Sequence, residues 1–377
     1  MALISYLTKI HFADGVLEEA LAAERQVLGI RRPLIVTDQG LVESGLVERL
    51  YDALAPPAVQ AVFDETPSNP TERACMAALD IYRQQECDGL VAFGGGSSMD
   101  LAKAVGLRAT HDGPLAGFAA IEGGIGRIKD ILPPLIAIPT TAGSGSEVGR
   151  GAIISLDDGR KVGILSPHLL PDVAICDPTL TLNLPPDLTA VSGMDALTHC
   201  IETFLSTAYN PPADGIALDG LRRAVGNIER AVDRGYDLGA RREMMAAAMN
   251  GALAFQKGLG GVHAMSHALA GVSGEGLTHG TLNAVLLPHM LAFNAPAVED
   301  RYPALRQAMG LAGHTDLAEA VTRLTERLGL PTVLSSLGVN ADTARRAAPL
   351  AEKDHTNNTN PRLAVADDYE KLMLAAL

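Results

Sequence analysis

The chain has no tryptophan, only four cysteines, and fewer cations than anions: 30 Lys and Arg against 44 Asp and Glu, a formal charge of −14. Nucleic acid rewards basic surfaces, so this balance argues against a nucleic-acid partner. It leaves room for an anionic small molecule, because a local cationic pocket does not need a basic protein. Cys75, Cys87, Cys176 and Cys200 show neither CxxC spacing nor the density of a disulfide framework, which suits a reduced, cytoplasmic protein with free thiols. No stretch of 18 apolar residues is free of charges, so no membrane span is expected. Met1 to Phe12 carries Lys9 and no long apolar core, so no export signal is expected either. Repeats at solenoid periods are also missing.

What the chain does have is length and core material. Its 377 residues exceed the usual single-domain size, and a 47% hydrophobic share supplies two cores. The first half alternates short apolar runs with amphipathic stretches. Pro33–Thr37, Ala58–Phe63, Gly89–Phe93, Pro134–Pro139 and Val173–Cys176 read as strands, and Val16–Leu28, Leu46–Leu54 and Thr71–Gln85 as helices. That alternation implies a parallel sheet covered on both faces. At Leu184-Pro185-Pro186-Asp187 the strand signals stop. Asp187 or a neighbour can cap a helix running to about Leu205, and helical patterns follow over 212–232, 239–256, 262–271, 280–293, 315–328 and 341–352. The expected fold is an α/β domain over residues 1–185 and an all-α domain over 186–377.

The polar residues cluster at a few places. Asp195 and His199 are four apart, a spacing that puts both on one helix face; His263 and His267 repeat it, and His279 follows from another segment. Each pair alone fits a helix-surface pair or two core histidines. Together, in a setting of Leu197, Val262, Met265 and Leu269, they need a buried partner. One carboxylate plus imidazoles suits zinc, iron or nickel rather than magnesium. The run His263-Ala264-Met265-Ser266-His267 is not the HExxH of metalloproteases, since Ala264 stands where the general-base Glu would be.

Two loops follow apolar strands. Gly94-Gly95-Gly96-Ser97-Ser98-Met99-Asp100 precedes the helical run Leu101–Leu107 and could cradle a phosphate. It is not GxGxxG and lacks the downstream acidic residue of that fingerprint. Asp38 ends an earlier strand, where it could reach an adenosine ribose or simply start a turn. Pro139-Thr140-Thr141-Ala142-Gly143-Ser144-Gly145-Ser146-Glu147 is a second loop of small residues and hydroxyls.

Taken together and in this order, the Gly94–Ser97 turn, the Pro139–Glu147 loop, Gly193-Met194-Asp195 and the histidine segment resemble the iron-containing (group III) alcohol dehydrogenases over nearly the whole chain. Asp64–Pro70, Asn210–Gly215 and His279–Asn283 resemble the branch of that family acting on 4-hydroxybutyrate. The resemblance implies a dinucleotide-binding first domain, a metal-binding helical second domain, and an active site in a cleft between them. It implies Asp195, His199, His263 and His279 as metal ligands, for Fe2+ or alternatively Zn2+. It makes His267 the non-ligand histidine near the nicotinamide, a candidate proton relay. Asp38 matches the acidic position favouring NAD over NADP, and Asn69, Gly95, Gly96, Ser97, Thr140, Thr141 and Lys161 match cofactor-contacting positions. A homodimer is implied as well. Two features depart from the pattern: the 16-residue step from His263 to His279, lengthened at Ser273–Gly276, and Gly151 at an asparagine position.

The activity this implies is reversible, NAD-linked oxidation of a primary alcohol, such as a short ω-hydroxy acid, to its aldehyde. The competing readings are a dehydroquinate-synthase-like lyase, a zinc hydrolase without nucleotide, and an alcohol dehydrogenase for an uncharged or aromatic alcohol. An ω-hydroxy acid needs a cation a few carbons from the metal. Lys257, six residues before His263, is the expected one, with His355, Arg150 and Arg362 as rivals.

Overall fold

The computed structural model describes residues 4, 8–54, 61–273 and 276–377. Parts of Met1–Phe12, of the Ala58–Phe63 run and of Ser273–Gly276 lie outside the described residues.

Six strands form one wholly parallel sheet: β1 (Lys9–Phe12), β2 (Pro33–Val36), β3 (Ala61–Phe63), β4 (Gly89–Gly94), β5 (Leu135–Pro139) and β8 (Val173–Cys176), in the order β1-β8-β5-β4-β2-β3. Strands β2, β4, β5 and β8 are buried at every residue, which explains their unbroken apolar sequences. Successive side chains point to opposite faces. Leu34, Val36, Leu90 and Ala92 accordingly join one core, and Ile35, Val91 and Phe93 join another. Helices Val16–Val27, Leu46–Leu54, Glu72–Gln84 and Gly96–Thr110 accompany the sheet.

Unforeseen here are β1, the short helix Gln39–Glu43, and an antiparallel hairpin of β6 (Gly151–Ser155) and β7 (Lys161–Leu165); later in the chain the helices Tyr302–Ala308 and Ala366–Ala375 are unforeseen too. The hairpin alternates half-buried and buried residues, and its turn runs through Asp158 and Gly159. The helix after the glycine turn begins at Gly96, not Leu101, because Gly95 is still extended and Gly96-Ser97-Ser98 already form the first turn.

From Asn183 onward the chain is helical: Pro186–Leu205, Pro211–Asp233, Leu238–Ala254, Gly261–Ser273, His279–Val298, Tyr302–Ala308, Leu317–Arg327, Ala341–Lys353 and Ala366–Ala375. The compact units divide at Leu182/Asn183 rather than after residue 185, and the loop Ala142–Gly145 groups with the helical one. Asp187 does not cap the first helix; Pro185 occupies that position without a side-chain bond. Buried Arg241 braces this end instead, donating to Leu184 O at 3.0 Å and Thr189 Oγ1 at 2.7 Å. Among the described residues no helix is long and apolar enough to cross a membrane, and all four cysteines are free and buried.

Candidate coenzyme and metal sites

The parallel sheet gathers the polar loops. Strands β2, β4 and β5 are neighbours, and just past their carboxyl ends stand Asp38, Gly95–Ser97 and Thr140–Thr141. The chain leaves β2 towards β3 and β4 towards β5, in opposite directions across the sheet. In open α/β sheets the crevice at such a reversal is where nucleotides bind. Asp38 caps Gln39–Glu43 through Leu41 N at 3.1 Å. A Cβ on Gly94 would lie 3.4 Å from its other oxygen, an ordinary contact, but only 2.5 Å from Ser98 Oγ, so Ser98 is what a side chain there would strike. Burial raises the Asp38 carboxyl above its ordinary value, opposed by the Leu41 and Gly40 amides and the Ser98 hydroxyl.

The remaining predicted coenzyme residues join this group. A Cβ on Gly95 would touch Thr141 at 3.5 Å; Ser97 Oγ donates to Ser68 O at 2.6 Å; Lys161 Nζ donates to Asn69 Oδ1 at 2.7 Å. The 15-residue helix Gly96–Thr110 starts without any side-chain cap, leaving its amides for an anion. Below the loops lies a buried polar cluster that no local sequence pattern announces. Lys103 Nζ donates to the carbonyls of Ser146, Gly149 and Gly151 at 2.7, 2.9 and 2.9 Å, and burial lowers its ammonium to about 8. Asp100 accepts from Ser146 Oγ at 2.7 Å and Ile153 N at 2.9 Å. These bonds fasten the loop after β5 to the helix after β4.

In the helical unit, Pro186–Leu205 is buried at every residue from Gly193 onward. It presents Asp195, His199 and Glu202 on one face, at i, i+4 and i+7. Asp195 Oδ1 is ringed by three imidazole nitrogens: His199 Nε2 at 3.7 Å, His263 Nε2 at 3.9 Å and His279 Nε2 at 3.6 Å. The ligand atoms of Asp195, His263 and His279 all lie within 4.8 Å of one another. Gly280 makes this approach possible: a Cβ there would sit 2.3 Å from the Val191 carbonyl oxygen, which forces the start of His279–Val298 directly onto the Asp195 helix. Asn283 Nδ2 donates to Asp195 Oδ1 at 2.8 Å and lies 3.2 Å from His279 Nε2.

The electrostatics fit a cation. Burial lowers His199 to about 4, against the pull of Asp195, so the ring is neutral near pH 7 as a ligand must be. Burial also opposes charge on His263, but contact with Glu202 and the nearby Asp195 raise its proton affinity. The charge that favours a proton there favours a metal ion. Buried His263 Nε2 has no hydrogen-bond partner, an arrangement that is costly without a ligand to fill it.

His267 stands beside this cluster. Its Nδ1 meets Asp354 Oδ2 at 3.0 Å, and its ring stacks between His279 and His355, at 5.3 and 6.2 Å between centroids. Burial alone would lift the Asp354 carboxyl; the His267 and His355 rings and the Thr356 amide hold it well below the ordinary range. His355 Nδ1 lies 3.4 Å from Asp354 Oδ1, and burial lowers this ring's value despite that carboxylate.

Lys257 does not take the expected role. It is 4% exposed, and its ammonium donates to Thr203 O and Phe204 O at 3.1 Å and to Asp214 Oδ1 at 2.5 Å. All three hydrogens are used, so it ties down the carboxyl end of the Asp195 helix and has nothing left for a substrate. Of the rivals, Arg362 stacks on Phe293 at 4.0 Å and donates to its carbonyl, while Arg150 is exposed in the other unit. Glu202, Asp354 and Asn283 have no role in the sequence reading; Glu202 carried a signal as the continuation of the Asp195/His199 face, and Asn283 as the residue four beyond His279.

Residues 8–178 match the iron-containing alcohol dehydrogenase model, and residues 189–377 match the C-terminal model of the same family. The chain belongs to the iron-containing alcohol dehydrogenase family. It is 56% identical over 99% of both chains to 4-hydroxybutyrate dehydrogenase of Cupriavidus necator. A crystal structure of 1,3-propanediol oxidoreductase superposes with a TM-score of 0.92 at 35% identity, covering all of both chains. The sulfoacetaldehyde reductase of Bifidobacterium kashiwanohense, solved in complex with NAD+, superposes at 0.89 with 28% identity, covering 100% of this chain and 98% of that one. The protein is thus an oxidoreductase of the alcohol dehydrogenase type, and the lyase and hydrolase readings fall away.

Proposed function

We propose that the enzyme interconverts a short ω-hydroxy acid, 4-hydroxybutyrate or a close homologue, and its semialdehyde, with NAD as the coenzyme and a divalent ion, Fe2+ or Zn2+, held by Asp195, His199, His263 and His279. The observation that carries this is the ring of imidazole Nε2 atoms around Asp195 Oδ1, with His263 Nε2 buried and unpartnered. The kinship with the Cupriavidus necator enzyme supports the choice of acid. When bound, the metal supplies Lewis acidity towards the alcohol oxygen and the nicotinamide accepts the hydride.

The chain's own residues do the rest. Asp38, Asn69, Gly95, Gly96, Ser97, Thr140, Thr141 and Lys161 hold the coenzyme, with the free amides of Gly96–Thr110 facing its phosphates. Asp38 accepts from ribose hydroxyls and repels a 2′-phosphate. Asp354 accepts from His267 Nδ1–H, which leaves His267 Nε2 as the atom that takes the alcohol proton. With Lys257 spent elsewhere, His355 is the group assigned to the substrate carboxylate, as a hydrogen-bond donor rather than a full charge. The enzyme works as a homodimer in the cytoplasm, without membrane or nucleic acid.

The test is NAD+ reduction across 4-hydroxybutyrate, 3-hydroxypropionate, 1,3-propanediol, 1-butanol and benzyl alcohol. The expected outcome is the highest kcat/KM for a hydroxy acid. A preference for 1-butanol or benzyl alcohol would reassign the substrate, and NADP+ outperforming NAD+ would remove the role given to Asp38.

A further inference from the structure

Glu202 is 5% exposed and makes two short contacts, both to the segment that carries His263. Oε1 accepts from Val262 N at 2.6 Å, and Oε2 lies 2.6 Å from His263 Nδ1. The first contact satisfies an amide in the opening turn of Gly261–Ser273, which can only donate. The second fixes the imidazole. A carboxylate oxygen facing Nδ1 requires the proton on Nδ1, so Nε2 keeps its lone pair, and Nε2 is the nitrogen that lies bare beside Asp195.

The surroundings are built for this contact. A Cβ on Gly260 would lie 2.9 Å from Glu202 Oε1 and 2.8 Å from Asn360 Oδ1, so only glycine lets both acceptors reach the helix start. Asn360 Oδ1 accepts from Gly261 N at 3.0 Å, and the other hydrogen bonds of this side chain go to Asn294 and Arg362 rather than to His263. The turn therefore has two braces, one that touches a proposed ligand and one that does not.

We infer that Glu202 is a positioning residue for the metal: it selects the Nδ1–H tautomer of His263, orients the ring, and raises the donor strength of Nε2. This rests on the metal reading above. Carboxylates placed this way behind a ligating histidine typically contribute tenfold to a hundredfold in metal affinity.

The experiment measures metal binding without substrate. The wild type, Glu202→Gln and Asn360→Ala are stripped with chelator and titrated with Zn2+ against a chromophoric chelator, and the melting temperature of each stripped protein is recorded. In Glu202→Gln one amide group must face the wrong way, either towards Nδ1 or towards Val262 N. The expected result is Zn2+ affinity weakened by about tenfold to a hundredfold in Glu202→Gln, with Asn360→Ala near wild type even where its stripped form melts lower. Equal weakening in both variants would make Glu202 a helix brace only and overturn the inference. So would unchanged affinity in Glu202→Gln, or weakening confined to Asn360→Ala. A wild type that binds no divalent ion would overturn the metal reading itself, a result distinguishable from all of these.

Discussion

The two halves of this enzyme build their sites in opposite ways. In the sheet half the proposed coenzyme groups stand at strand ends and helix starts, and much of the candidate site is backbone: the open turn at Gly94–Gly96 and the uncapped helix beginning at Gly96. In the helical half the site is made of buried side chains, Asp195, His199 and His263, each at most 7% exposed. A nucleotide needs a long polar rim that it can leave after each turnover. A metal needs several donors fixed within a few ångströms and shielded from competing water. Strand order suits the first demand, and helix periodicity with close helix packing suits the second.

This contrast can be broken most severely on the helical side. Asp195→Ala or His263→Ala should lower turnover by at least about a hundredfold and abolish retained metal, because each removes a donor from a buried set. Normal metal content in either variant would contradict the ligand assignment. Asp354→Asn comes next. By allowing His267 the wrong tautomer it should lower kcat by roughly tenfold to a hundredfold with KM little changed. A change in KM alone would instead give Asp354 a role in binding.

On the sheet side the expected effects are smaller, since many groups share the coenzyme. Asp38→Gly should improve NADP+ relative to NAD+ by more than about tenfold, equivalent to about 1.4 kcal/mol. His355→Gln, back in the helical half, should raise KM for 4-hydroxybutyrate by about tenfold while leaving 1-butanol unchanged, the loss of one hydrogen bond to a charged group. An equal effect on both substrates would remove it from the carboxylate. Lys257→Met, at the position that sequence spacing favours for that contact, should change neither specificity. Its effect belongs to stability, about 1–3 kcal/mol by denaturant unfolding, because two helix-end carbonyls lose this donor and Asp214 keeps only Arg301.

The same contrast explains what could be read from sequence. The i, i+4 pairs Asp195/His199 and His263/His267 announce helix faces directly, so these polar groups stand out without the fold, although each pair alone also fits a helix-surface pair or two core histidines. Glu202 lies on the same stripe and was readable in principle. The strands β2, β4, β5 and β8 were legible because full burial makes them continuously apolar. Their order was not, and strand order is what brings Asp38 beside Gly94 and Gly95 beside Thr141. The β6–β7 hairpin escaped because its strands alternate half-buried and buried residues and so are not continuously apolar, although Asp158-Gly159 between alternating runs was a usable turn signal. Lys257 was misread for a different reason. Its partners Thr203, Phe204 and Asp214 lie 43 to 54 positions away in the chain, and no local pattern reveals that a lysine's hydrogens are already used.

The most direct test follows NAD+ reduction by 4-hydroxybutyrate in one preparation, first as purified, then stripped of metal by chelation, then restored with Fe2+ under anaerobic conditions or with Zn2+, alongside Asp195→Ala treated identically. Activity should disappear with the metal, return with the ion in the wild type, and never return in Asp195→Ala. Full activity in the metal-free wild type, or recovery in the variant, would contradict the metal reading.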